Sequence, residues 1–405
     1  MPATPVAWMY AAVFTVYGLH VPYLAVWLAS RDLGPEATGW ILAVPLFVRL
    51  IATPSAAIAA DAGGSHAAMI LRLSVVGLAA TFALGFVDGA VAIGLGVLVM
   101  LVAIQSLMPL IEVVAMRSVR SQGTDYGRQR LWGSLTFIAM TMVGGLAIAQ
   151  FGGGIIQPLL VVATLFVVIA ALQLPRLGGE RGGMPRGGAN AMRGRSSAHV
   201  GGDLIARIKD HLGRLMPLLK KPGLVVFLFG AGIVQASHAV YYTFSALHWQ
   251  ALGMSGFWIG ALWSLGVVAE IVLFAWSGSV VRRLGPLGLL QLGAAAAVVR
   301  WTAMSFDPPL LALIPLQVLH GLTFGATHLA AMFYIARNTP ETSAGAVQAL
   351  FATIATGGAM GAATLLAGYL YADVQAFAYF AMAGLGLAVL VYSSLLWLRG
   401  GGQTA

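Results

Sequence analysis

Along the chain, long apolar stretches alternate with short polar interruptions. A helix rises 1.5 Å per residue, so about 20 mostly apolar residues are needed to cross the hydrocarbon core of a bilayer. Twelve stretches approach or exceed that length: residues 6–28, 37–60, 67–87, 90–116, 131–151, 156–174, 223–247, 257–280, 287–306, 310–334, 344–370 and 375–398. Most joints between them are short. The exception, 175–222, is rich in Gly and Arg and splits the stretches six and six. Within it, 178–202 has the composition of a flexible linker. In 203–221, Leu204, Ile208, Leu212, Leu215 and Leu219 recur at helical spacing, with Arg207, Lys209, Arg214 and Lys220 on other faces. That pattern predicts a helix lying on the inner leaflet. The expected organisation is an all-α membrane protein: a six-helix bundle over 1–174, a linker over 175–222 and a second six-helix bundle over 223–405.

Composition strengthens this picture. Of 405 residues, 59% are hydrophobic and 9% charged, against about one quarter charged in soluble domains. So few charges cannot cover a soluble surface, which excludes an ordinary soluble enzyme, a nucleic-acid binder and a disordered chain. The net charge of +9 is a topology signal. Of 22 Lys and Arg, Arg49, Arg72 and Arg300 lie within spans, Arg31 falls in one set of loops, and the other 18 fall in the opposite set. Positive charge marks the cytoplasmic side, so both termini are expected there. The first span is too long for a signal-peptide core and lacks a basic flank, so it reads as a retained helix. Cysteine is absent, which removes disulfides and thiolate chemistry.

The halves carry traces of a duplication. A-I-A-A-D-A-G-G closes span 2 at 57–64, and G-S-V-V-R-R-L-G closes span 8 at 278–285. Their offset of 221 carries Arg49 onto Glu270. I-E-V-V-A-M at 111–116 and T-H-L-A-A-M at 327–332 give an offset of 216, which carries Glu112 onto His328. Internal repeats with ionisable residues at matching depth suit alternating-access transport.

Ionisable groups at bilayer depth are costly and must face protein or a wet cavity. Glu112 and Glu270 are the only carboxylates well inside spans; Arg49 and Arg300 are also deep, and Arg72 is near enough to an end to snorkel. Polar stripes run along span 1 (Tyr10, Tyr17, His20), span 4 (Gln105, Glu112), span 7 (Gln235, His238, Tyr242, Ser245) and span 10 (Gln317, His320, Thr327, His328). Each keeps to one helical face. A hydrogen-bonded structural role is the alternative for any one of these histidines. Glu112 and Arg130 sit on antiparallel neighbours and can approach each other, either to grip a solute or as a salt bridge pinning spans 4 and 5. His320 and His328 are separated by about 12 Å of helix rise, too far to share one ion unaided, and no metal site or cofactor is expected. No phosphate-binding loop, nucleophile elbow or H-E-x-x-H occurs.

With these residues in view, the chain resembles the major facilitator superfamily over almost its whole length. D-Y-G-R-Q-R-L-W-G-S at 125–134 is similar to the phenylpropionate-permease and oligosaccharide:proton-symporter branch, which includes lactose permease; W-I-G-A-L-W-S-L-G-V-V-A-E-I at 258–271 and L-H-G-L-T-F-G-A-T-H-L-A-A-M at 319–332 resemble the phenylpropionate-permease group. The resemblance implies twelve helices in two pseudo-repeat bundles, with spans 1, 4, 7 and 10 lining a central cavity. It implies a substrate role for Glu112 and Arg130, which correspond to a sugar-binding pair. The Trp that follows that Arg in lactose permease is Phe137 here, which argues against galactosides. Glu270, Arg300 and His320 match the proton-coupling cluster, but a companion carboxylate is replaced by Thr323. Of the gating signature between spans 2 and 3 only Asp61 and Gly64 remain, while Arg282, Arg283 and Gly285 persist in the second copy. Span 5 lacks the Gly-Pro motif frequent in antiporters.

The expected function is proton-coupled uptake of a small organic solute by a monomer in the bacterial inner membrane. Its partners are substrate, protons and lipid, with no nucleic acid. An aromatic or other small carboxylate is the first expectation, a sugar or nucleoside the second; proton-coupled export, and more remotely a membrane-embedded enzyme or sensor, are alternatives. Candidate substrate residues are Glu112, Arg130, Phe137, His20, His238, Tyr242 and His328; proton-coupling residues Glu270, Arg300 and His320; gating residues Asp61, Arg282 and Arg283; and Arg49 a charge within the helix core.

Overall fold

The computed structural model describes residues 4–174 and 222–399. The expected linker and its surface helix, at 175–221, lie outside the described residues. The described chain forms twelve spanning helices: α1 (Pro5–Ala29), α2 (Pro35–Ala62), α3 (His66–Ala83), α4 (Ala90–Gln105 and Leu107–Gln122), α5 (Tyr126–Phe151), α6 (Ile156–Gln173), α7 (Pro222–Ala236 and Ala239–Ala251), α8 (Gly256–Ala275), α9 (Ser277–Met304), α10 (Leu310–Asn338), α11 (Glu341–Val374) and α12 (Ala378–Arg399). By length and composition, 11 helical stretches could cross a membrane, because Ser343–Leu395 runs through α11 and α12 together.

Local chemistry sets several boundaries. Thr4 and Ser65 cap α1 and α3 by accepting from the amides of Ala7 (3.2 Å) and Ala68 (3.1 Å). Asp125 accepts from the Arg128 amide at 3.0 Å, so α5 starts at Tyr126 rather than at the expected 131. Arg130 is thereby held inside the helix, in its second turn. Gly285, at φ 64°, separates a short basic first segment of α9 from its membrane span. Several helices lose regularity at mid-depth: α4 at Ser106, α7 between Ala236 and Ala239, α10 in a π-helical stretch Gly321–Ala326, and α11 in another at Thr353–Ala359. Irregular backbone inside a membrane survives where it is buried in protein or lines a cavity, and π segments frequently mark functional sites.

Helices α1–α6 and α7–α12 form two bundles that meet along α1–α7, α2–α11 and α5–α8. Glycine makes two of these approaches possible. A Cβ on Gly39 would fall 2.8 Å from the Gly368 Cα, and one on Gly256 would fall 1.8 Å from the Gly145 carbonyl oxygen. Thr141 of α5 extends the second seam with a 2.8 Å hydrogen bond to Ser264 of α8. One end of the molecule exposes Arg117, Arg120, Arg128, Arg282, Arg283 and Arg337; it is the basic end. The glycine seams lie toward the far end, where Arg31 pairs with Asp88. Among the described residues the packing between bundles is concentrated in the far half. Among the described residues the two bundles are therefore closed at the far end and divided at the basic end.

Because a new side chain at Gly256 meets backbone, Gly256→Val must force α5 and α8 apart. Overpacking costs about 1–3 kcal/mol, so the far-closed population is expected to fall roughly 5- to 150-fold relative to the far-open one. Labelling of a cysteine introduced at Ala246, which lines this seam, checks this; an unchanged labelling rate would refute it.

Candidate functional site

The second bundle holds a buried polar network. Arg300 of α9 is fully buried. Its guanidinium donates to Gln317 Oε1 (2.8 Å), His320 Nδ1 (3.0 Å) and Thr323 Oγ1 (3.1 Å), all on α10. It also lies over the rings of Tyr241 (4.7 Å) and Trp301 (4.5 Å). His320 Nε2 is 2.7 Å from Glu270 Oε1 on α8. These contacts fix the proton arrangement. Arginine can only donate, so Nδ1 of His320 accepts and the ring proton of the neutral imidazole sits on Nε2, facing Glu270. His238 Nδ1 is 3.0 Å from the Gln235 carbonyl and Nε2 is 2.9 Å from Thr323 Oγ1. A carbonyl only accepts, so Thr323 donates to Nε2. His238 is fully buried with both nitrogens engaged, so it braces the Arg300 network instead of joining Glu112 and Arg130.

Aromatic rings surround this network. Tyr242 stacks on His238 (centroids 5.3 Å apart) and Trp263 on Tyr241 (4.5 Å). His320, Phe324 and His328 form a ring column along α10, with spacings of 5.5 and 6.3 Å. Glu270 and His328 are only partly covered.

In the first bundle, Arg130 lies over Phe14 (4.3 Å to the ring centroid) and near Tyr10 (5.6 Å). It makes no ion pair with Glu112. Glu112 instead accepts from the Tyr126 hydroxyl at 2.9 Å. The salt-bridge alternative therefore does not describe this conformation. Arg130 is left with aromatic faces and no carboxylate in ion-pair contact among the described residues, and Arg130 and Phe137 are only partly covered. His20 is buried, its Nδ1 3.2 Å from the Val16 carbonyl and its ring against Tyr17 at 5.3 Å.

The expected gating residues do not come together. Asp61 lies 3.3 Å from His66, and Arg282 donates to Ser279 at 3.1 Å. Arg49 donates to Gln105 of its own bundle and to Thr356 of the other. Sequence reasoning passed over His248, whose nitrogens meet the Tyr371 hydroxyl (2.8 Å) and Asp307 (2.7 Å) at the far end. His248 falls one residue beyond the predicted stretch 223–247, so no buried-charge signal marks it. Phe14 and Tyr126 were also missed; no charge marks Phe14, and Tyr126 fell outside the predicted span.

Comparison with known proteins accounts for this architecture. A model described as the MFS_1 like family matches residues 4–382. The chain belongs to this family of major facilitator transporters. The transporter is 32% identical over 367 residues to the "Probable 3-phenylpropionic acid transporter" of Escherichia coli (strain K12), covering 89% of each chain. It is 28% identical over 364 residues to the "Maltose permease" of Geobacillus stearothermophilus, covering 89% of this chain and 86% of that one. Its fold matches the crystal structure of the nucleoside transporter NupG with a TM-score of 0.78 at 14% identity, covering 97% of this chain and 98% of that chain. The D-xylose-proton symporter gives 0.67 at 13% identity, over 96% and 95%. The transporter thus shares a fold with carriers of unlike solutes, and fold alone does not choose among them. It is a multi-pass membrane carrier of small molecules, not an enzyme.

Proposed function

We propose that this transporter carries a small aromatic carboxylate into the cell together with a proton. The observation that carries the reading is Arg130, a partly covered guanidinium seated on the Phe14 ring with no carboxylate in ion-pair contact among the described residues. A guanidinium binds a carboxylate through paired, charge-assisted hydrogen bonds, and neighbouring aromatic faces suit an aryl group. The name of the Escherichia coli relative points to the same class. Glu270 is the proposed proton carrier. Protonating His320 at Nδ1 would cost the bond from Arg300, so an added proton goes to the carboxylate. His328 and Tyr242 serve as ring partners at the substrate side of this cluster. The division into bundles at 1–174 and 223–405 supplies the two rocking bodies, with the basic end in the cytoplasm.

Purified transporter in proteoliposomes with an acidic exterior should accumulate labelled 3-phenylpropionate above protein-free vesicles, which report passive entry of the neutral acid. The uncharged 3-phenylpropionamide should compete poorly. Equal competition by the amide would sink the carboxylate reading. Orientation has its own check: single cysteines in 337–343 should label only from the cytoplasm and those in 30–36 or 249–255 only from outside. The reverse pattern would overturn the sidedness.

A further inference from the structure

Arg49 is a charge the transport scheme above does not use. It sits at mid-depth on α2 and reaches in two directions. Nη1 donates to Gln105 Oε1 at 2.8 Å, at the point where α4 breaks; Nη2 donates to the Thr356 carbonyl at 2.7 Å and to its hydroxyl at 2.5 Å. Thr356 belongs to the other bundle and lies in the π-helical stretch of α11. Such a stretch shifts carbonyl pairing away from the regular i→i−4 ladder and leaves an acceptor for an outside donor. Thr356 directs its own hydroxyl proton to Ala352 O at 2.8 Å, so its oxygen faces Arg49 as an acceptor. Beside this contact a Cβ on Gly357 would fall 2.0 Å from the Leu50 side chain, which marks close packing of α2 on α11.

The repeat gives this arrangement meaning. The offset of 221 that relates α2 to α8 carries Arg49 onto Glu270, and the offset of 216 that relates α4 to α10 carries Gln105 onto Gly321, the residue next to His320. The pair Arg49–Gln105 on α2 and α4 thus lies within one residue of the position that Glu270–His320 holds on α8 and α10. Each pair joins the same two helices of its bundle at a backbone irregularity. One half places a titratable carboxylate there. The other places a guanidinium, which keeps its charge at every relevant pH, and uses it to hold the opposite bundle.

We propose that Arg49 is a positioning residue of the transport cycle: it latches α2 to α11 in the far-closed conformation, and its release from Thr356 is part of opening the far end. The glycine seam between Gly39 and Gly368 closes the same pair of helices by shape; Arg49 closes it by hydrogen bonding at the lower end of the seam.

The test uses this 405-residue chain, which has no cysteine of its own, with Ala246→Cys as a reporter. Ala246 is buried at the far-end junction of α7 with α1, α5 and α8. In proteoliposomes without substrate, an impermeant maleimide added from the far side reports far-end opening. Arg49→Met should raise the labelling rate at least about 10-fold, the factor associated with one lost charge-assisted hydrogen bond. Arg49→Lys, which keeps charge but makes fewer bonds, should fall between. Thr356→Val, which removes only the hydroxyl acceptor, should give a smaller rise and needs no loss of charge, so it serves if the Met variant fails to fold. Unchanged labelling in folded Arg49→Lys and Thr356→Val, established by thermal unfolding, overturns the latch. No substrate enters this readout, so failure of the aromatic-carboxylate reading leaves the test intact.

Discussion

Glu270→Gln is expected to keep counterflow exchange of substrate and to lose accumulation driven by a pH gradient. A pH step of about 2 units stores about 2.7 kcal/mol per proton, enough for roughly 100-fold accumulation at one proton per substrate. That gradient-driven component should vanish. The reason lies in the hydrogen-bond directions around His320. Arg300 donates into Nδ1 and leaves the ring proton on Nε2, 2.7 Å from Glu270. Glu270 is the end of the chain and the group free to gain or lose a proton without breaking the Arg300 bond. Gln mimics the protonated carboxyl. A loaded carrier can then still turn over in both directions, because exchange never requires deprotonation. The empty carrier cannot complete the return that a gradient would drive. Arg300→Ala should act in the same sense, because removing a favourable positive neighbour keeps the proton on Glu270 and slows its release. Persistent pH-driven accumulation by Glu270→Gln would move the proton to Glu112 or to a histidine.

The membrane spans were legible because the bilayer imposes a length and a polarity that few sequences meet by accident. The site was legible only in outline. Glu270, Arg300 and His320 lie on separate spans, and their mutual approach was implied by resemblance and by the cost of isolated charge in lipid, not by spacing. Three features depended on geometry that periodicity does not encode. The start of α5 depends on the Asp125 cap, and five residues of extra helix placed Arg130 over Phe14 instead of at the mouth of the span. The π segments of α10 and α11 lie against Arg300 and Arg49, and no periodicity in the chain marks them. And of 51 glycines, nothing in the chain distinguishes those, Gly39, Gly145, Gly256, Gly260 and Gly368 among them, that let the bundles touch. His238 illustrates the limit most clearly. Its stripe position suited a substrate ligand, yet Thr323 and Gln235 occupy both of its nitrogens.

The same geometry separates a substrate-binding Arg130 from a structural one. Removing a guanidinium that pairs with a bound carboxylate in a partly desolvated site costs about 2–5 kcal/mol, so Arg130→Ala should weaken 3-phenylpropionate binding by roughly 30-fold or more. Thermal unfolding of the unliganded protein should move little, because Arg130 has no ion-pair partner to lose. Arg130→Lys keeps the charge but loses the planar fork and much of its stacking on Phe14, and should fall between. Glu112→Gln should be milder than Arg130→Ala, because Glu112 holds the Tyr126 hydroxyl at 2.9 Å and an amide oxygen can still accept that bond. The decisive variant exchanges the charges, Glu112→Arg with Arg130→Glu. Were the two residues a bridge between α4 and α5, the exchange would restore the bridge and transport with it. With Arg130 as the anion site, the exchange puts a carboxylate over Phe14, where it repels the substrate, and binding stays lost. Recovery in the exchanged protein would return Arg130 to a structural role; absence of recovery with an unchanged unfolding temperature would assign it to the substrate.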